Sequence, residues 1–125
     1  MEFIDLKIQF SQIEDKIKKS IHNVLNHGKY VMGPEVEKLE YELSNYVDAK
    51  YCVSCSSGTD ALLMSLLAIG VKPGDAVITT PFTFIATAEV ISLVGATPIF
   101  IDIDSKTFNI NSDLIDQKIN DVNNN

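Results

Sequence analysis

Arginine is absent from the 125 residues: all ten basic residues are lysine, against 17 acids, for a net charge of −7. A polyanionic backbone would be repelled by such a chain, and no lysine cluster stands out beyond Lys16, Lys18 and Lys19. Nucleic-acid binding is therefore disfavoured. Without arginine, a bidentate clamp on a carboxylate or phosphate has to come from another chain or from further sequence. No apolar run approaches the ~20 residues that span a bilayer. The N-terminus, MEFIDLK, lacks a basic-then-apolar leader, so the expected location is cytoplasmic, with no membrane partner. Only two cysteines occur, Cys52 and Cys55. A zinc site would want a second pair or suitably placed histidines. His22 and His27, five apart, do not stack on one helical face. The cysteines are expected to be buried thiols on opposite faces of a strand.

Apolar residues make up 46% and charged residues 22% of the chain, a globular composition. A compact fold of this length buries roughly two thirds of its unfolded surface. Residues 11–26 place Ile13, Ile17, Ile21, Val24 and Leu25 on one stripe, which predicts an amphipathic helix ending near Gly28. After a short link, Gly33-Pro34 opens a second helix whose inner face is Val36, Leu39, Leu43 and Tyr46. The pattern then changes. Residues 51–55, 76–80 and 97–103 read as apolar strands, and each is followed by a helical stretch, at 61–69, through 91–94 and at 113–119. Strands alternating with helices predict an α/β fold with a parallel-type sheet flanked by helices. Residues 1–46 would form an arm and two helices, and residues 47–125 the strand-and-helix part.

In open α/β sheets ligands bind beyond the C-terminal strand ends, and two loops lie there. The first is Ser56-Ser57-Gly58-Thr59-Asp60. A helix start with Gly58 for close approach, and with hydroxyls from Ser57 and Thr59, suits a phosphate. The same residues serve equally well as a helix cap. Neither GxxxxGK[ST] nor GxGxxG occurs, so a nucleotide-binding loop of either kind is disfavoured. The second loop runs from Thr80 to Thr87 and carries Phe82 and Phe84. Both rings could pack between sheet and helix, or Phe84 could lie on a flat cofactor. Asp102 and Asp104 read as turn formers rather than a metal pair.

In order along the chain stand HGKYVMGPEV, SSGTDAL, KPGDAVIT, PFTFIATAE and GATPIFIDID. Together they resemble the N-terminal part of the DegT/StrS-type nucleotide-sugar aminotransferases, over about residues 3–119. Around HGKYVMGPEV the wording is most similar to the branch that aminates C3 of UDP-linked 3-oxo-uronic sugars. The resemblance implies the large domain of an aspartate-aminotransferase-like, fold type I enzyme, here incomplete. It implies pyridoxal 5'-phosphate as cofactor, a keto-sugar nucleotide substrate, an amino-acid donor such as glutamate, a homodimer, and a role in amino-sugar or surface-polysaccharide biosynthesis. On the matching positions, Ser57, Gly58 and Thr59 would hold the cofactor phosphate, Phe84 would stack on its ring, and Gly28 and Tyr30 would line the sugar-nucleotide pocket.

The family's Schiff-base lysine and the acid that pairs with the pyridine nitrogen lie beyond residue 125 in that resemblance. The expectation is that the chain does not transaminate by itself. In this fold type, moreover, the strand before SSGT is not the neighbour of the strand before PFTF. An isolated chain should therefore be poorly soluble or partly ordered. Outside the resemblance, the alternatives are a non-catalytic module for a phosphate ligand and a truncated product without a function.

Overall fold

In the computed structural model residues 4–123 are described. The elements are α1 (Leu6–His27), α2 (Pro34–Tyr46), α3 (Gly58–Ala68), β1 (Ala76–Thr79), α4 (Ala86–Leu93), β2 (Thr97–Phe100), a 3-10 turn (Ser112–Leu114) and α5 (Ile115–Asn123). The chain divides into two compact units at the Ser54–Cys55 peptide.

In the first unit, α1 begins earlier than its apolar stripe predicts. The extended Asp5 accepts the N–H groups of Lys7 and Ile8 at 3.0 and 3.1 Å and so caps the helix at Leu6. It ends where predicted, at Gly28, whose φ of 67° lets its N–H reach the Val24 carbonyl at 3.0 Å. Pro34 opens α2, with Glu35 and Glu37 in the first turn at the positive end of the helix dipole. The predicted inner faces, however, are not buried. Neither helix has a buried residue, and Ile21, Leu25, Leu39, Leu43 and Tyr46 are all exposed. Amphipathic spacing marks the face a helix can bury; among the described residues of this unit no element packs extensively on it.

The segment 51–55, predicted to be a strand, pairs with nothing and forms none. It keeps the alternation of a strand: Tyr51, Val53 and Cys55 are exposed, Cys52 and Ser54 half-buried. The buried thiols expected at Cys52 and Cys55 are therefore corrected to one half-buried and one exposed. A strand needs a neighbour to exclude water from both faces, and none is supplied here.

The second unit has the predicted parallel sheet. β1 and β2 pair in register Ala76↔Thr97 through Thr79↔Phe100. Bonds from Thr97 N–H to the Asp75 carbonyl and from Ile101 N–H to the Thr79 carbonyl, both 2.9 Å, extend the ladder at its two ends. Between the strands the chain crosses through α4, which packs on the sheet and on α3. The buried core is Ala86, Val90 and Ile91 of α4 with Ala96 and Ile101 at the ends of β2. Full burial of Val90 and Ile91 stabilises the unit by about 1.5–3 kcal/mol each. β2 is shorter than the apolar run 97–103. Past Ile101 the chain turns, and Ile103 bridges Ile110 in antiparallel fashion. Asp104 closes that turn by accepting the N–H groups of Lys106 and Thr107 at 3.0 and 2.8 Å. The Thr107 N–H and then its hydroxyl, with the Lys106 N–H, hold the Asp104 carboxyl below the usual range. Among the described residues no group of acids, histidines and cysteines could hold a metal ion, and no helix is long and apolar enough to cross a membrane.

Candidate functional site

The SSGTD segment forms the start of α3. Ser57 is extended, and its hydroxyl oxygen accepts the Asp60 N–H at 3.1 Å. The N–H groups of Gly58 and Thr59, in the first turn, have no partner within a helix. The hydroxyls of Ser56 and Ser57 both turn to the Asp60 carboxylate, Ser57 at 3.1 Å. The capping reading is thus realised, while two backbone donors remain for an anion.

Gly58 separates the two readings of this loop. Gly28, Gly70, Gly74 and Gly95 have positive φ, and Gly33 has a carbonyl where a Cβ would stand. Gly58 has neither: its φ is ordinary and a Cβ would meet nothing within 4 Å. The fold gives no reason for glycine there, whereas an approaching phosphate does. Open space against two free amides fits a phosphate group.

Thr59 shares a cleft of about 660 Å³ with Ile85, Ala88, Glu89 and Leu93 of the second loop and α4. The volume falls in the range of small-molecule sites. Phe84 immediately precedes this wall and is 75% exposed. It does not pack between sheet and helix, and neither does Phe82. The Phe82 ring instead meets Phe108 at 5.9 Å between centroids. Thr83 and Thr87 are one turn apart, and their hydroxyls bond at 3.0 Å.

The residues expected on the substrate side lie in the first unit. Gly28 and Tyr30, with Lys29, Met32, Gly33 and Glu37, line a second cleft of about 570 Å³. The link there is tightly determined. Met32 has φ 48°, a rare conformation for a side chain with a Cβ. Gly33 is buried, and a Cβ on it would stand 2.2 Å from the Lys29 carbonyl oxygen. His27 and Glu35, at the two ends of the link, are joined by a side-chain bond at 3.1 Å. That bond, with the Glu35 N–H, holds the Glu35 carboxyl below the usual range. Sequence reading passed over this pair because it weighed His27 only as a metal ligand. The available signal was a histidine in the last turn before Gly28 and an acid in the first turn after Gly33-Pro34.

A model of the DegT/DnrJ/EryC1/StrS aminotransferase family matches residues 11–124. The chain is 52% identical over 119 residues to the UDP-2-acetamido-2-deoxy-3-oxo-D-glucuronate aminotransferase of Pseudomonas aeruginosa, covering 95% of this chain and 33% of that protein. Its structure is similar to a DegT DnrJ EryC1 StrS aminotransferase from Brucella abortus, with TM-score 0.88 and 43% identity over 93% of this chain and 31% of that one. It is also similar to NtdA of Bacillus subtilis, solved with bound cofactor PMP, with TM-score 0.82 and 38% identity over 86% and 25% of the two chains. The chain spans about a third of the length of these relatives or less. The α/β architecture is that of part of a fold type I pyridoxal phosphate aminotransferase, as the sequence predicts. The chain belongs to the DegT/DnrJ/EryC1/StrS aminotransferase family.

Proposed function

We propose that this chain forms the cofactor-phosphate and substrate-side portion of an enzyme that aminates a UDP-linked 3-oxo-uronic sugar, with pyridoxal 5'-phosphate as cofactor and glutamate as amino donor. The observation that carries the cofactor half is Gly58, a glycine the backbone does not need, beside two free amides at the start of α3. The similarity to the Pseudomonas enzyme supports the substrate class. Working as a cytoplasmic homodimer in surface-polysaccharide biosynthesis belongs to the same proposal.

When bound, pyridoxal phosphate supplies the electron sink through which an amino group is moved. The roles of this chain are binding and orientation. The N–H groups of Gly58 and Thr59 donate to phosphate oxygens at the positive end of the α3 dipole. The Thr59 hydroxyl adds a donor, and Ser57 can add another by turning from Asp60. Phe84 offers an exposed ring face to a planar group. Gly28 and Tyr30 form one wall of the sugar-nucleotide cleft. Asp60 and Glu89 bring negative charge to the same region. Neutralising a phosphate therefore falls to cations outside these loops. None of the ten lysines lies in residues 56–60 or 80–94, so the chain by itself is proposed to bind without turning over.

The test is titration with pyridoxamine 5'-phosphate, which cannot form adducts with surface lysines, in competition with inorganic phosphate. Saturable binding that weakens at least about tenfold in Gly58→Ala is expected, because the added methyl group keeps the phosphate from closing on backbone N–H groups that the variant still carries. Equal binding by Gly58→Ala would remove the phosphate assignment. Assay of the chain with glutamate and a UDP-linked 3-oxo-uronic sugar should give no product; turnover would refute the binding-only role.

A further inference from the structure

His27 stands at the last position of α1, with a bond on each ring nitrogen. Its Nδ1 accepts the Lys29 N–H at 3.0 Å. A backbone N–H has nothing to donate to but a lone pair, so Nδ1 carries no proton. The ring proton is therefore on Nε2, which lies 3.1 Å from both oxygens of Glu35. The arrangement fixes one tautomer and one ring orientation.

The consequence falls on a single peptide. The N–H of Lys29 is held by His27, and its carbonyl is seated where the missing Cβ of Gly33 leaves room. Lys29 is thus gripped on both sides, and Tyr30 follows it directly. Tyr30, Val31 and Met32 make no hydrogen bond of their own among the described residues and are exposed. Apart from its helix caps, the conformation of this stretch depends on its ends. Met32 nevertheless holds a φ of 48°, which a free segment would relax.

We propose that His27 is a positioning residue: as the Nε2–H tautomer it clasps Lys29 to Glu35 and so sets the wall of the cleft that presents Tyr30 to the nucleotide sugar. The proposal rests on the substrate-side reading of that cleft. His27 acts through the backbone and touches no reacting atom. Glu35 supplies the acceptor, so a neutral amide at that position can replace it.

Nitrogen–proton correlation spectra of the neutral imidazoles test the clasp directly. His27 should show one protonated and one bare nitrogen, and His22, which has neither contact, should show tautomer averaging. An averaged His27 would overturn the proposal without need of any variant. In His27→Ala the Lys29 amide should exchange roughly tenfold faster. Glu35→Gln should keep Lys29 protected and Glu35→Ala should not; equal protection in both would also overturn it. UDP-glucuronate serves as the probe of the cleft. It should shift the amides of Gly28 and Tyr30, and several-fold more of it should be needed in His27→Ala. Undiminished shifts in that variant would sink the positioning role. A fixed tautomer with no shift in the wild-type chain would instead refute the substrate-side reading and leave the clasp itself standing.

Discussion

Ser57 and Gly58 are adjacent, yet alanine at each should move stability in opposite directions. Ser57→Ala removes the acceptor for the Asp60 N–H and should cost about 1 kcal/mol. Gly58→Ala adds a methyl into open space at an ordinary helical φ, and should be neutral or stabilising by up to about 1 kcal/mol. Urea unfolding of the two variants reads both signs, and a destabilised Gly58→Ala would mean that the glycine serves the fold after all. Gly33 is the opposite kind of residue. Its absent Cβ is replaced by the Lys29 carbonyl 2.2 Å away, and backbone cannot swing aside as a long side chain does. Gly33→Ala should destabilise the link by roughly 1–3 kcal/mol. The check is hydrogen exchange at Lys29, which should lose its protection while the middle of α1 keeps its own.

At the scale of elements, Glu40 of α2 reaches forward fourteen residues and accepts both the N–H and the hydroxyl of Ser54, at 2.7 and 2.8 Å. The Ser54 N–H, and then its hydroxyl, hold the Glu40 carboxyl below the usual range. A depressed carboxyl stabilises above its unfolded pKa, about 4.3, and that contribution disappears as pH falls through the lower folded value. Ser54 amide protection should therefore persist at neutral pH, fade only below that range, and be absent at every pH in Glu40→Ala. Loss of protection starting near neutrality would mean that another group controls it. This bond also explains what was legible in the sequence. Helix ends at Gly28 and Pro34, the cap at Ser57 and the β1–α4–β2 crossover are local in origin, set by caps, turns and short-range pattern. Pairing of residues 51–55 is not local, so β-prone composition predicted a strand that no neighbour completes. Two hydrogen bonds to Glu40, which no periodicity announces, hold the end of that segment. In the candidate site the start of α3 was readable from Ser57, Gly58 and Thr59, since a helix start has a recognisable cap. For the His27–Glu35 clasp the sequence offered only the placement of a histidine before Gly28 and an acid after Pro34, since the bond itself joins two helices across a link whose backbone includes a positive φ at Met32.

For the whole molecule the decisive quantity is area. In the first unit Gly33 is the one buried residue among those described, and in the second unit five residues are buried, whereas a compact monomer of 13.8 kDa hides roughly two thirds of the surface its unfolded chain exposes. The deficit sits in named places: the faces of α1 and α2, the unpaired segment 51–55, and Phe82, Phe84 and Phe100 around the strand ends. Apolar burial is the main favourable term, so a chain short of it unfolds with less cooperativity. The slope of unfolding free energy against urea scales with the area exposed on unfolding. That slope should be distinctly shallower than a compact domain of the same length would give. Uncovered apolar faces also favour association between copies, so sedimentation at rising concentration should show species heavier than 13.8 kDa. A steep, single urea transition in a sample that stays monomeric would show that these faces are covered within the chain, and would overturn the account of α1, α2 and segment 51–55 as surfaces awaiting a partner. Shallow unfolding with self-association, by contrast, would make the helices and the unpaired segment parts of an interface rather than of a finished domain.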